Sequence, residues 1–239
     1  MNKNNLCLQL KMGLFRKGAS LVGFADLMEI PADVRYSLRF AVSIAVALDP
    51  GIIASISNGP NQQYYSEYKR VNALLSDLGE HAAKMIRSYG YQALSSPPTI
   101  GRTDTQTDGT PLPHKTVATK AGLGWIGKCA LLITEEYGSA IRLTKVLTDA
   151  ALETAIPITD SRCGKCEICV KSCPGNAPSG RDWSINLRRD DFFDASACYR
   201  TARELASKAG IDESLCGICV SVCPWTQKYI KGKRTPRRA

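Results

Sequence analysis

Cys163-Gly-Lys-Cys166-Glu-Ile-Cys169-Val-Lys-Ser-Cys173-Pro174 is the stretch from which the organisation of this chain is read. It satisfies C-x₂-C-x₂-C-x₃-C-P at every position, the run in which three thiolates hold one four-iron cluster and the fourth reaches another. The spacing has a geometric reason. Two-residue gaps let a tight loop wrap three corners of a cubane, the three-residue gap swings the next sulfur away, and proline keeps the chain from turning back. Further along, Cys216-Gly-Ile-Cys219-Val-Ser-Val-Cys223-Pro224 repeats the ending, but Glu213 stands where its first cysteine belongs. Cys198 is the replacement the chain offers. Three ligands per motif with one exchanged in each direction predicts two [4Fe–4S] clusters. The first takes Cys163, Cys166, Cys169 and Cys223, and the second Cys173, Cys198, Cys216 and Cys219. Zinc knuckles also use C-x₂-C pairs, but they need neither the proline after the fourth cysteine nor the exchange. Cys7 and Cys129 are left over, and the sequence assigns neither a role.

Working outward, the 239 residues carry 44% hydrophobic and 22% charged side chains, ordinary values for a soluble globular protein. The longest apolar run, residues 40–48, is interrupted by Ser43 and falls far short of the ~20 residues of a membrane span. The N-terminus alternates apolar residues with Asn, Gln and Lys, so it lacks the continuous apolar segment of a secretory signal. A cytoplasmic, reducing location is therefore expected, where ten cysteines read as metal ligands rather than disulfides. The formal charge is +9, and Lys228, Lys231, Lys233, Arg234, Arg237 and Arg238 crowd the C-terminal end. That run reads as a solvated tail, with phosphate contact as the competing use. The chain has two histidines, His81 and His114, too few for a histidine metal site.

Upstream of the cysteines the pattern changes. Residues 5–18 have helical spacing, 19–25 and 39–48 read as buried strands, and Asp49-Pro-Gly closes the second. Tyr64, Tyr68, Val71, Leu75, Leu78, Ala82, Met85 and Tyr89 make one apolar stripe, which predicts a helix over 62–88. Asn58 or Asn61 is placed to cap it and Gly90 to end it. A strand at 91–95, a long Pro/Gly/Thr/Asp segment at 96–113, a short helix at 114–121 and strands at 130–134 and 140–148 complete a layered α/β region. The division expected is 1–155 for that region, 156–227 for the cluster region and 228–239 for the tail.

Gly122, Gly124 and Gly127 spell G-x-G-x-x-G, the dinucleotide fingerprint, but in the wrong setting. That fingerprint follows a strand and opens a helix. Here a helix precedes the glycines and a strand follows, so they read as places where backbone passes close to something bulky. Asp104 and Asp108 lie in the loop ahead of them, where a carboxyl group is either a turn former or a proton donor beside a redox centre.

Ala121-Gly-Leu-Gly-Trp-Ile-Gly-Lys-Cys-Ala-Leu-Leu-Ile133, then Leu143-Thr-Lys-Val-Leu-Thr-Asp149 and the two cysteine motifs, together resemble the epoxyqueuosine reductases, corrinoid-dependent iron–sulfur enzymes of tRNA modification. The match is close over about residues 100–227 and looser before that. The resemblance implies an α+β fold, with a nitroreductase-like layered domain followed by a ferredoxin-like double-cluster domain. It also implies a cobalamin beside the clusters, an external low-potential electron donor, and tRNA or a smaller molecule as substrate. It places the proton-donating aspartate at Asp108, and corrinoid contacts at Gly122, Gly124, Trp125, Ile126, Gly127, Lys128 and Arg200. Two departures stand out. The reductases continue past the second cluster motif into a helical-repeat region, and Arg200 stands where they tend to carry serine. Two other classes fit the residues alone: a non-catalytic electron-transfer or reductive-activation protein without corrinoid, and a nucleic-acid-binding module using the basic tail.

Overall fold

The computed structural model describes residues 3–98 and 110–232. In chain order the first elements are α1 (Lys3–Arg16), β1 (Leu21–Asp26), β2 (Phe40–Ala47), α2 (Pro50–Ala54), α3 (Gln62–Ser88) and β3 (Ala93–Ser96). Then come α4 (His114–Lys120), β4 (Trp125–Ile126), β5 (Leu132–Ile133) and β6 (Ile141–Thr148), followed by α5 (Ile168–Lys171), α6 (Ala195–Lys208), α7 (Ile218–Ser221) and α8 (Pro224–Gly232). The fold class is α+β. The main sheet has the order β1-β2-β6-β3 and is antiparallel throughout, with β2 and β6 paired from Phe40↔Thr148 to Ala47↔Ile141.

An antiparallel sheet usually shows alternating polarity, because one face meets water. Apart from Ser43, strand β2 is apolar along its length because both faces are covered. Val42, Ile44 and Val46 enter the core shared with α1 and α3, whereas Ala41 and Ala45 face the α4 side, where Val117, Ala118 and Ala121 lie. The small residues at 41 and 45 let α4 approach closely. The continuous run that marked the strand is thus the signature of a three-layer arrangement.

Helix α3 starts where Asn61 accepts a hydrogen bond from the Tyr64 N–H, and ends before Gly90, whose φ is +86°. Its stripe is the core of the molecule. Leu75, Leu78 and Ile86 are fully enclosed, and each such side chain contributes roughly 1.5–3 kcal/mol by burial. The same core continues into the cysteine-rich region through Ala206, Ile211, Leu215, Val220 and Tyr229. The Tyr229 hydroxyl donates to the Leu48 carbonyl at 2.9 Å, and Gln62 Nε2 donates to the Ala209 carbonyl at 3.0 Å. The two regions on either side of residue 155 are therefore packed as one body around the start of α3. Lys228 and Lys231, expected in a tail, lie on α8. Among the described residues no helix is long and apolar enough to cross a membrane.

Candidate functional site

Each cysteine motif folds as a loop that ends in a single helical turn, α5 in the first and α7 in the second, and the two turns pack against each other. The Cys166 N–H closes on the Cys163 carbonyl at 3.1 Å, and the Cys173 N–H on the Val170 carbonyl at 3.3 Å. These turns carry the sulfurs round in the way the spacing anticipates. Cys163, Cys166, Cys169 and Cys223 line one cavity, together with Cys129, Ile133, Pro224 and Trp225. Cys223 comes from the second motif, so the exchange between motifs is visible in the fold. Cys198 lies near enough to Cys173 and Cys216, and Tyr64 near enough to Cys216 and Cys219, for their charges to be felt. Among the described residues no three His, Cys, Asp or Glu side chains converge tightly enough to hold a single metal ion. Four thiols around an apolar cavity instead form a donor set suited to a cubane cluster.

The glycine-rich segment runs beside the cysteine cavity. Gly122 has φ +67° and ends α4. A Cβ on Gly124 would overlap the Ile133 carbonyl oxygen, and one on Gly127 would overlap the Ile133 side chain and come to 3.5 Å from Cys163 Sγ. The bulky neighbour anticipated for these glycines is therefore strand β5, whose Ile133 walls the cysteine cavity. Trp125 is fully buried against Cys223, with Trp225 edge-on at 5.1 Å between ring centroids. Lys128, 5% exposed, donates to the Gly164 carbonyl at 2.8 Å and so ties down the first cysteine loop.

On the far side of the turn at 127–131 lies a cavity of about 800 Å³, at the large end of small-molecule sites. Its walls include Ile126, Leu132, Ile141, Leu143, Trp183 and Phe192, and its charged groups include Lys115, Arg142 and Arg189, with Glu29 and Asp190. Lys115, Ala130 and Leu131 line it as well, while Cys129 faces the cysteine cavity. The two spaces therefore share one thin wall. Lys115 Nζ donates to the Ala130 carbonyl at 2.7 Å in that wall, and burial pulls its ammonium down to about 8. Lys145, bonded to the Leu112 carbonyl at 3.0 Å, is pulled to about 8 for the same reason. His114 Nε2 lies 3.1 Å from the Pro97 carbonyl, which can only accept, so that nitrogen carries the proton. Its Nδ1 is buried without a partner, and burial, aided by Lys145 and Arg142, lowers the ring's pKa to about 3.

Comparison with known proteins places these features. Residues 162–226 match the 4Fe-4S double cluster binding domain, which supports two [4Fe–4S] clusters in that segment. The epoxyqueuosine reductase of Aliivibrio fischeri is 30% identical over 191 residues, 73% of this chain and 46% of that protein. The chain is similar to the epoxyqueuosine reductases. It spans about half the length of the curated reductases it matches. An epoxyqueuosine reductase solved with an epoxyqueuosine-modified tRNA stem loop shares its fold, with a TM-score of 0.63 and 19% identity over 95% of this chain and 66% of that one. A reductive dehalogenase, whose structure suggests a mechanism for B12-dependent dehalogenation, superposes with a TM-score of 0.68 and 19% identity, covering 91% of this chain and 31% of that one.

Against the reductase-based expectations, the placement of the candidate residues is uneven. Of the eight cysteines, Cys163, Cys166, Cys169 and Cys223 line one cavity, and Cys198 lies near Cys173 and Cys216. Of the seven corrinoid candidates, Ile126 lines the large cavity. Gly122, Gly124, Trp125, Gly127 and Lys128 do not: Gly124 and Gly127 pack against Ile133, Trp125 against Cys223, Gly122 near Ala155 and Ile156, and Lys128 bonds the Gly164 carbonyl, while Arg200 is exposed on α6. Asp104 and Asp108 lie outside the described residues. Several cavity residues escaped sequence reasoning. Trp183, Leu187 and Phe192 come from the link between the cysteine motifs, where their one signal was apolar bulk in a segment otherwise given to turns. Lys115 had no signal, since an isolated lysine reads as a surface residue.

Proposed function

We propose that this chain is an iron–sulfur reductase that passes electrons from an external low-potential donor, through two [4Fe–4S] clusters, to a cobalamin in the large cavity. The observation that carries the reading is the shared wall, with cysteine ligands on one side and an apolar space with a cationic rim on the other, one turn of chain apart. Residues 156–227 would hold the clusters, and the corrinoid would lie between residues 1–155 and the link at 183–192, which lines the same cavity. Ile126, Leu132, Trp183 and Phe192 offer apolar surface to a large flat ligand, while Arg142 and Arg189 are matched to a phosphodiester. When bound, the corrinoid would supply a low-potential metal centre for the reductive cleavage of a substrate bond. Lys115 places a donor and a positive charge between clusters and cavity, and His114 stays neutral at physiological pH, so it adds no second charge there. Asp108, carried over from the resemblance, is the proton donor. The substrate is a modified tRNA nucleoside or a smaller molecule with an equally reducible bond.

The test is anaerobic reconstitution with iron, sulfide and cobalamin, followed by desalting and absorbance spectroscopy. Stoichiometric cobalamin retained by the chain supports the reading. Clusters without retained cobalamin would favour the electron-transfer protein instead. In the loaded chain Asp108→Asn should abolish turnover of an epoxyqueuosine-containing tRNA stem loop and leave the cluster spectrum unchanged. Turnover that survives the substitution removes Asp108 from the mechanism.

A further inference from the structure

Cys129 belongs to neither cysteine motif, yet it stands where they meet. It is 2% exposed and lines the cavity formed by Cys163, Cys166, Cys169 and Cys223. Its sulfur lies in side-chain contact with two others, Cys169 on α5 and Cys219 on α7. Those are equivalent positions in the two motifs, and α5 and α7 pack against each other at this point. The position is also held rigidly. The Gly127 N–H donates to the Leu131 carbonyl at 2.9 Å and the Ala130 N–H to the Gly127 carbonyl at 2.8 Å, closing a tight turn. Ala130 pays for that turn with a φ of +58°, and the Leu131 N–H points back at the Cys129 sulfur.

A buried thiol has one proton to give, and here the neighbouring acceptors are sulfurs. With Cys169 and Cys219 as ligands of different clusters, that proton can be donated to a thiolate of one cluster while the same sulfur touches the other. A hydrogen bond to a ligand sulfur withdraws electron density from the cluster and favours its reduced form. The Leu131 N–H polarises the Cys129 sulfur and strengthens the donation.

We infer that Cys129 is a positioning residue for electron transfer: its thiol hydrogen-bonds a ligand sulfur at the junction of the two clusters and raises the reduction potential of the cluster that accepts. The inference rests on the proposed assignment of the eight cysteines and is independent of the corrinoid. It makes no ninth ligand of Cys129, since each cluster already has four.

The experiment uses the full chain, reconstituted anaerobically with iron and sulfide alone, as wild type, Cys129→Ala and Cys129→Ser. Each is counted for iron and titrated against potential with electron paramagnetic resonance detection. The expected result is about eight irons in all three. In Cys129→Ala at least one midpoint should fall by the equivalent of a tenfold change in reduced-to-oxidised ratio, about 59 mV for a one-electron couple. Cys129→Ser keeps a donor and should bring that midpoint back toward the wild-type value. Midpoints unchanged in Cys129→Ala overturn the inference, as does an equal shift in both variants. Loss of four irons from both variants also overturns it, by making Cys129 a ligand. A wild-type chain that takes up no iron fails the cluster assignment itself, and the inference with it.

Discussion

His114 makes the stability of this protein depend on pH in a window that can be worked out from its surroundings. The ring is held neutral by burial, by Lys145 and by Arg142, and titrates near 3 instead of the ordinary 6.5. Between those values the unfolded chain binds the proton and the native chain does not, so stability rises with pH through the window and is fully present above about 6.5. At pH 5 the unfolded imidazole is protonated about 30-fold over its neutral form while the native ring remains neutral, a difference worth about 2 kcal/mol relative to pH 7. Lys115 and Lys145, each at about 8 in the fold, are charged in both states over this range and add no slope. Depressed carboxylates such as Asp26, paired with Arg39 at 2.7 Å, titrate in any variant and cancel in a comparison. Anaerobic urea unfolding of the wild type and His114→Gln at pH 5, 6 and 7 isolates the ring. The wild type should lose about 2 kcal/mol more than the variant between pH 7 and pH 5. Equal losses in the two proteins would refute the buried, neutral imidazole.

Two further substitutions separate wall from surface. Gly124→Ala places a methyl group against the Ile133 carbonyl. Opening the β4–β5 pairing to admit it should cost about 1–3 kcal/mol, seen as a lower thermal midpoint together with poorer iron retention, because Ile133 walls the cysteine cavity. Arg200→Ala removes an exposed side chain that does not line the large cavity. Cobalamin retained after desalting should match the wild type, and a marked loss would return Arg200 to the corrinoid site.

Much of this arrangement was legible in the sequence, and the reasons differ from element to element. Helix α3 is legible with its bounds because its stripe is long and Gly90 marks its end, while the choice between Asn58 and Asn61 as its cap is made only by the fold. Strand β2 is legible from an apolar run broken only by Ser43, although the run alone does not say that the sheet is antiparallel. That depends on the β2–β6 pairing across about a hundred residues, which no local pattern encodes. That Cys223 lies with the first motif follows from spacing, because a cubane restricts which sulfurs one loop can deliver. The role of the glycines was half legible. Their setting excluded a nucleotide, but only the fold identifies Ile133 as the neighbour they accommodate. The large cavity was the least legible feature, since its walls are drawn from α4, β5, β6 and the link at 183–192, and Lys115 becomes distinctive only through its burial in the shared wall.

The central claim is that eight cysteines hold two four-iron clusters in adjoining sites. Its most direct test is a count of iron, acid-labile sulfide and zinc per chain after anaerobic reconstitution. The structure predicts about eight irons and eight sulfides, and about two zincs with no iron would contradict it.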